Sequence, residues 1–300
     1  MPTIAALYHF TRFDDPAILR GPLLDLCLGA GVKGSLLLAR EGLNGTFAGP
    51  REGVDAVLAH LRALPGCAGL EWKESHAESM PFGRIKVKLK REIVTMGLPD
   101  VDPLAAVGQH VSAAEWNDLI SQPDVAVIDT RNDYEVAIGT FQGAVDPGTR
   151  SFRAFPAWWQ ANRERFGNKR IAMFCTGGIR CEKSTNYLLS QGVSEVYHLK
   201  GGILKYLEEV PVAESLWQGE CYVFDGRVSV GHGLVPGQLS SCGACRRPVT
   251  AGGRVHPDYE EGVACAACVN EYSETDRARF RERQKQMVLA AQRGERHLGG

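Results

Sequence analysis

The spacing of apolar and polar residues divides this chain into three stretches with different rhythms. In the first, Ile4 to Phe10 reads as a strand. Asp14-Asp15-Pro16 then supplies helix-start chemistry, with Pro16 suited to the first turn of a helix running to about Gly29. Gly34 to Ala39 and Gly42 to Ala48 read as strands on either side of a polar Arg40-Glu41 corner. Arg51 to Leu64 carries Val54, Val57, Leu58 and Leu61 on one helical face and stops at Pro65-Gly66. Leu70 to Lys73 and Ile85 to Val94 complete the strands. The order β, α, β, β, α, β over residues 1–96 predicts a ferredoxin-like (acylphosphatase-like) α+β domain, with one sheet covered on one face by two helices.

Within that domain the run from Arg84 to Lys90 alternates strictly. The alternation puts Ile85, Val87 and Leu89 on the covered face and gathers Arg84, Lys86, Lys88 and Lys90 on the other. Four cations two residues apart make a basic strip suited to phosphates. The same pattern also fits a solvated face, or a strand edge guarded by lysines.

Residues 97–109 contain Pro99, Pro103 and two glycines and read as a linker. From 110 to 213 strands and helices alternate. Ser112 and Glu115 make a capping box for a helix through Ser121, and Val125 to Ile128 is a buried strand ending at Asp129. A helix over Phe155 to Phe166, strand Ile171 to Phe174, helix Ser184 to Leu189, strand Val196 to Leu199 and a helix opened by Gly201-Gly202 follow. This predicts a doubly wound α/β domain with a parallel sheet, whose ligand site lies at the C-terminal strand ends near Asp129 and Cys175.

The rhythm stops at about Glu214. Cys242, Cys245, Cys265 and Cys268 form two C-x-x-C pairs nineteen residues apart, a spacing suited to structural zinc, with two local redox dithiols or metal-free packing as alternatives. Glu274 to Gln292 reads as a helix with Phe280, Met287, Val288 and Ala291 on one side and Arg277, Arg281, Arg283 and Lys285 elsewhere, either solvated or touching RNA.

Composition narrows the class. The 300 residues show neither a membrane span nor a signal peptide, which points to the cytoplasm. In that reducing setting nine cysteines suggest metal binding or catalysis rather than disulfides. The formal net charge is −1, so contact with nucleic acid must rest on local patches.

The chemistry centres on Cys175-Thr176-Gly177-Gly178-Ile179-Arg180-Cys181, which follows a strand and precedes a helix. Gly177 and Gly178 permit a tightly curled loop whose N–H groups, with Arg180, favour thiolate at Cys175. Asp129 is placed to orient the loop or Arg180, or to cap a turn. Arg131 is placed to bind substrate phosphate or to pair with Glu135. His198 and His232 read as structural, and Phe155, Trp158 and Trp159 as core.

Val127 to Glu135, Gly143-Ala144, Cys175 to Arg180 and His198 to Gly202 are similar to the successive landmarks of a rhodanese domain. With Gly42 to Gly45, Gly83 to Val94 and Gly219 to Asp225, nearly the whole chain resembles the rhodanese-domain tRNA uridine hydroxylases. The resemblance implies hydroxylation at C5 of the wobble uridine, with molecular oxygen as co-substrate and Cys175 essential. Cys181 matches the second loop cysteine of that family, either a resolving thiol or a helix-start residue. No flavin, haem or non-haem iron signature is displayed, so the route of oxygen activation and the electron donor stay open. tRNA is the expected partner, which makes Arg84, Lys86, Lys88 and Lys90 candidates for tRNA binding; DNA and membrane are not expected. The same loop also fits a sulfurtransferase carrying a persulfide on Cys175. A cysteine phosphatase fits poorly, because Arg180 stands five residues after Cys175 rather than six. A non-catalytic RNA-binding module has no need of an activated thiol.

Overall fold

Residues 1–294 are described by a computed structural model. The first stretch forms β1 (Thr3–Phe10), α1 (Pro16–Gly29), β2 (Lys33–Ala39), β3 (Gly42–Gly49), α2 (Arg51–Ala63), β4 (Trp72–His76) and β5 (Ile85–Leu89). Asp15 caps α1 by accepting from the Ala17 N–H, with Pro16 at the first turn. The sheet order is β4-β1-β3-β2-β5, with β2 and β5 parallel and the other pairs antiparallel. Ala5, Leu7, Leu36, Leu38, Leu43 and Phe47 pack with Val54, Val57, Leu58 and Leu61 in one core. Two strand boundaries shift. Leu70 is buried in a turn closed by its N–H to the Cys67 carbonyl, so β4 begins at Trp72. β5 ends at Leu89, which is exposed rather than covered.

The central stretch forms β6 (Gln109–Val111), α3 (Ala113–Ile120), β7 (Val125–Asp129), α4 (Asp133–Val136), β8 (Gly139–Phe141), α5 (Phe155–Asn162), β9 (Arg170–Phe174), α6 (Ile179–Ser190), β10 (Val196–Leu199) and α7 (Gly202–Glu209). Its sheet is parallel, in the order β6-β10-β9-β7. The capping box of Ser112 and Glu115 starts α3 as expected. Phe155 and Trp159 are buried, as a core role requires. The expected helix from Ser184 begins five residues earlier, at Ile179, because Gly178 adopts φ 105° and caps it. Cys181 therefore stands in the first turn of a helix, where unpaired N–H groups concentrate.

The joins are packed rather than free. Met96 is buried in the same core as Phe152, Phe155 and Trp159, with Leu98 and Val101 packed against it; the Asn186 side chain bonds the Asp102 backbone. Lys183, with no exposed side chain, reaches Glu41 and Glu92, both at 2.8 Å, and ties α6 to the first domain. Beyond residue 213, β11 (Trp217–Gly219) pairs with β8, and Trp217, Cys221, Val223 and Val230 enter the central core. β12 (Cys221–Tyr222) and β13 (Ser229–Val230) form a hairpin.

The remaining elements are β14 (Ser240–Ser241), β15 (Pro248–Val249), α8 (Ala251–Arg254) and α9 (Glu274–Gln292). The four cysteines and Val249 form their own small core. On α9 the apolar side is not continuous: Met287 and Val288 are exposed, while Ala290 is buried. Its arginines hold the helix in place. Arg281 pairs with Glu260 and Glu274, and Arg283 donates to the Gly243 and Gly262 carbonyls.

Candidate active site

β9 delivers Cys175 to the C-terminal edge of the parallel sheet, and the short loop to Gly178 folds back over its sulfur. The Gly178 N–H donates to Cys175 Sγ at 3.1 Å. Gly202, at φ 67°, lets α7 butt against the loop: a Cβ there would stand 2.5 Å from the Cys175 carbonyl. The N–H groups of Ile203 and Leu204 in turn hold the Cys175 and Thr176 carbonyls at 3.0 and 3.1 Å. The loop is thus fixed between the starts of two helices.

Burial pushes the Cys175 thiol up, but it is outweighed by the Cys181 thiol donating to it, the Arg180 charge, and the N–H groups of Cys181 and Arg180. Together they lower it to about 5. Burial and the neighbouring sulfur raise Cys181 well above a normal thiol. The pair is therefore a thiolate supported by a thiol, and Cys181 also contacts the Thr130 hydroxyl at 3.7 Å.

Arg180 and Thr176 are tied to a residue that the sequence pattern did not place in the site. Glu135 binds both terminal nitrogens of Arg180, at 2.7 and 2.8 Å, and is fully buried. Thr176 Oγ1 donates to the same carboxylate at 3.3 Å. The available signal was the Asn132-to-Glu135 capping box. Arg131 neither faces a substrate nor pairs with that carboxylate. It is fully buried, ion-paired to Asp129, and donates to the Glu135 and Gly139 carbonyls. Asp129 thus orients Arg131 rather than Arg180, and the two fix the loop that carries Glu135.

A cavity of about 420 Å³ opens above this loop, between the uncovered face of the first sheet and the central domain. Its walls include Tyr8, Asn44 and Lys73 from that sheet, Cys175 to Gly177 and Arg180 from the loop, and Phe224, Asp225 and Arg227 from the β12–β13 hairpin. Three polar groups here were missed: nothing in their sequence surroundings marks Lys73 or Tyr8, and Asn44 lies in the Gly42 to Gly45 corner without being singled out. Lys73 Nζ donates to the Gly177 carbonyl at 3.0 Å and sits 5.7 Å from the Tyr8 ring centre. Burial lowers its pKa, which the Cys175 charge partly offsets. Tyr8 donates to Glu182 at 2.9 Å, and a Cβ on Gly178 would stand 2.8 Å from its hydroxyl. Asn44 Nδ2 donates to the Ile93 carbonyl at 2.9 Å, which leaves its Oδ1 for another donor.

The basic strip belongs to the same sheet face. Lys86 is the register partner of Ser35 and Lys88 of Leu37, and both partners line the cavity. Lys86 and Lys88 are exposed on the edge strand β5, and Arg84 and Lys90, also exposed, flank its two ends. None of them forms an ion pair among the described residues.

In the last stretch, the sulfurs of Cys242, Cys245, Cys265 and Cys268 converge. Cys242–Cys268 and Cys245–Cys265 are 3.8 Å apart and Cys265–Cys268 3.7 Å. Four thiolates at about 2.3 Å around one tetrahedral zinc would be separated by about 3.8 Å, so the donor set fits.

Residues 2–93 match the family model of a UPF0176 acylphosphatase like domain, and residues 112–209 that of a Rhodanese-like domain. The chain is 70% identical over 298 residues to a tRNA uridine(34) hydroxylase of Ruegeria pomeroyi, covering 99% of both chains. It belongs to the tRNA uridine(34) hydroxylase family. Proteins of the same name from Jannaschia sp. and Agrobacterium fabrum are 67% and 61% identical, over 100% and 99% of this chain and 99% and 94% of theirs. The loop of Cys175 lies in the second matched domain, and the uncovered sheet face of the first stands opposite it.

Proposed function

We propose that this chain uses molecular oxygen to hydroxylate C5 of the wobble uridine of tRNA, and that Cys175 is the nucleophile. The observation that carries the reading is Cys175, its sulfur accepting the Gly178 N–H, on the floor of a nucleoside-sized cavity whose opposite wall is a sheet edged with cations. Addition of the Cys175 thiolate to C6 of the uracil moves charge onto C5 and the C4 carbonyl oxygen. The resulting enolate makes C5 electron-rich enough to take up oxygen. Lys73 is placed to stabilise that oxygen, and the loop N–H groups with Arg180 hold the sulfur as thiolate. Loss of the C5 proton and departure of the thiolate restore the ring. Only one atom of oxygen enters the product, so two electrons and two protons from a reductant carry the other to water.

The wobble base must leave the anticodon stack to reach the sulfur. Phe224, 59% exposed at the cavity rim, offers an aromatic face for it. Arg84, Lys86, Lys88 and Lys90 are assigned to the tRNA backbone beside it. Cys242, Cys245, Cys265 and Cys268 would hold a structural zinc, with no ligand position open for catalysis. A tRNA substrate supports a cytoplasmic setting for the reaction. Incubation with tRNA and a reductant under ¹⁸O₂ should yield 5-hydroxyuridine carrying one ¹⁸O. Label drawn from water, or sulfur transfer from thiosulfate without hydroxylation, would refute the reading.

A further inference from the structure

Among the buried polar groups, one imidazole lacks the partner that burial normally demands. His198 is 1% exposed, and among the described residues neither of its ring nitrogens has a hydrogen bond of acceptable geometry; a weak backbone hydrogen bond to Gly108 is the smallest influence on the ring. Buried polar side chains are overwhelmingly hydrogen-bonded, so an orphan of this kind calls for a ligand or an ion.

Its neighbours supply the rest of a donor set. His110 is the register partner of His198 on the adjacent strand, β6 beside β10, and the two rings lie 4.1 Å apart between centres. α6 packs over β10 and brings Glu182 down onto the pair. The ligand atoms of His110, Glu182 and His198 all fall within 4.8 Å of one another, and the His110 Nε2 to Glu182 Oε1 separation is 3.1 Å. Donors bound at about 2.1 Å to a first-row ion lie roughly 3.0–3.4 Å apart, so closing the set requires side-chain adjustment rather than backbone movement. Both hydrogen bonds to Glu182, from Tyr8 and His110, fall on Oε1, and among the described residues Oε2 accepts none.

We propose that His110, Glu182 and His198 bind a divalent first-row transition-metal ion. Two imidazoles and one carboxylate, with further positions open, are the donors that non-haem iron(II) prefers, and zinc or cobalt tolerates them. His110 is half exposed, so water reaches the open positions from the surface. Tyr8, bonded to Glu182 and standing in the cavity wall, is the outer-shell group that fixes the carboxylate. The three residues lie 72 and 16 positions apart in sequence, too widely spaced to read as a metal motif. The site is independent of the hydroxylation reading.

Cobalt(II) titration of the full chain separates this site from the cysteine cluster, because only thiolate ligands give intense sulfur-to-cobalt charge-transfer absorption. The wild type is expected to bind one equivalent with that absorption and a second showing only weak d–d bands. His110→Ala, at a half-exposed position, and Glu182→Gln, which keeps the Tyr8 bond, should each lose the second equivalent while retaining the first and a wild-type circular dichroism spectrum. Absence of the weak second equivalent from the wild type, or its survival in both folded variants, would overturn the proposal.

Discussion

Glu135 grips Arg180 through two hydrogen bonds of 2.7 and 2.8 Å, in a place where neither side chain is more than 8% exposed. The arginine beside the reactive sulfur is thus held by a carboxylate forty-five residues earlier, on the loop that Asp129 and Arg131 brace. Removing one partner of a buried pair strands the other charge. Glu135→Gln should therefore lower stability by about 3–5 kcal/mol in urea denaturation. A change below about 1 kcal/mol, the worth of a surface pair, would show that the pair is not structural.

The depressed Cys175 thiol gives a pH signature. An unfolded thiol titrates near about 8.5, whereas the folded one titrates at about 5. Its contribution to stability is complete above the unfolded value and is lost as pH falls through about 5, so stability should rise with pH between the two. Cys181, raised in the fold, stays protonated in the folded state, and its unfolded thiol begins to ionise only near the top of the window, at about 8 and above, so it does not alter the sign below that. Chemical denaturation across pH 5 to 8.5 should show the slope in the wild type and a flatter one in Cys175→Ser. Parallel curves would contradict an activated sulfur.

Lys73 tests the division of labour inside the cavity. Losing a preorganised donor to a developing oxyanion costs about 10²–10³ in kcat. Lys73→Met should show that loss in single-turnover hydroxylation with tRNA affinity unchanged. A weakened Kd with normal kcat would make it a binding residue instead.

The strip on β5 makes a prediction in salt. Lys86→Ala with Lys88→Ala should weaken tRNA binding and shrink the slope of log K against log salt by roughly 0.7–0.9 for each phosphate no longer neutralised. An unchanged slope would make the strip a guarded sheet edge.

Much of this was legible in sequence where period and punctuation agree. The split βαβ order, the Ser112 capping box and the span of α9 follow from local rules that tertiary packing did not override. The start of α6 was misplaced because Gly178 reads as loop, yet its left-handed backbone is what caps the helix. The site was half legible. Cys175 and Arg180 share a motif, whereas Glu135 meets Arg180 only when the central domain folds, and Lys73 and Tyr8 reach the loop only when the first domain docks on it, which no linear pattern encodes. Arg131 was misassigned because an exposed and a buried arginine look alike in sequence; burial beside Asp129 decided its role.

The most direct measurement is nucleoside analysis of tRNA from a deletion strain carrying the wild-type chain or Cys175→Ser. 5-hydroxyuridine should return with the wild type and be absent with Cys175→Ser expressed at equal level. Modification restored by Cys175→Ser would contradict a nucleophilic Cys175.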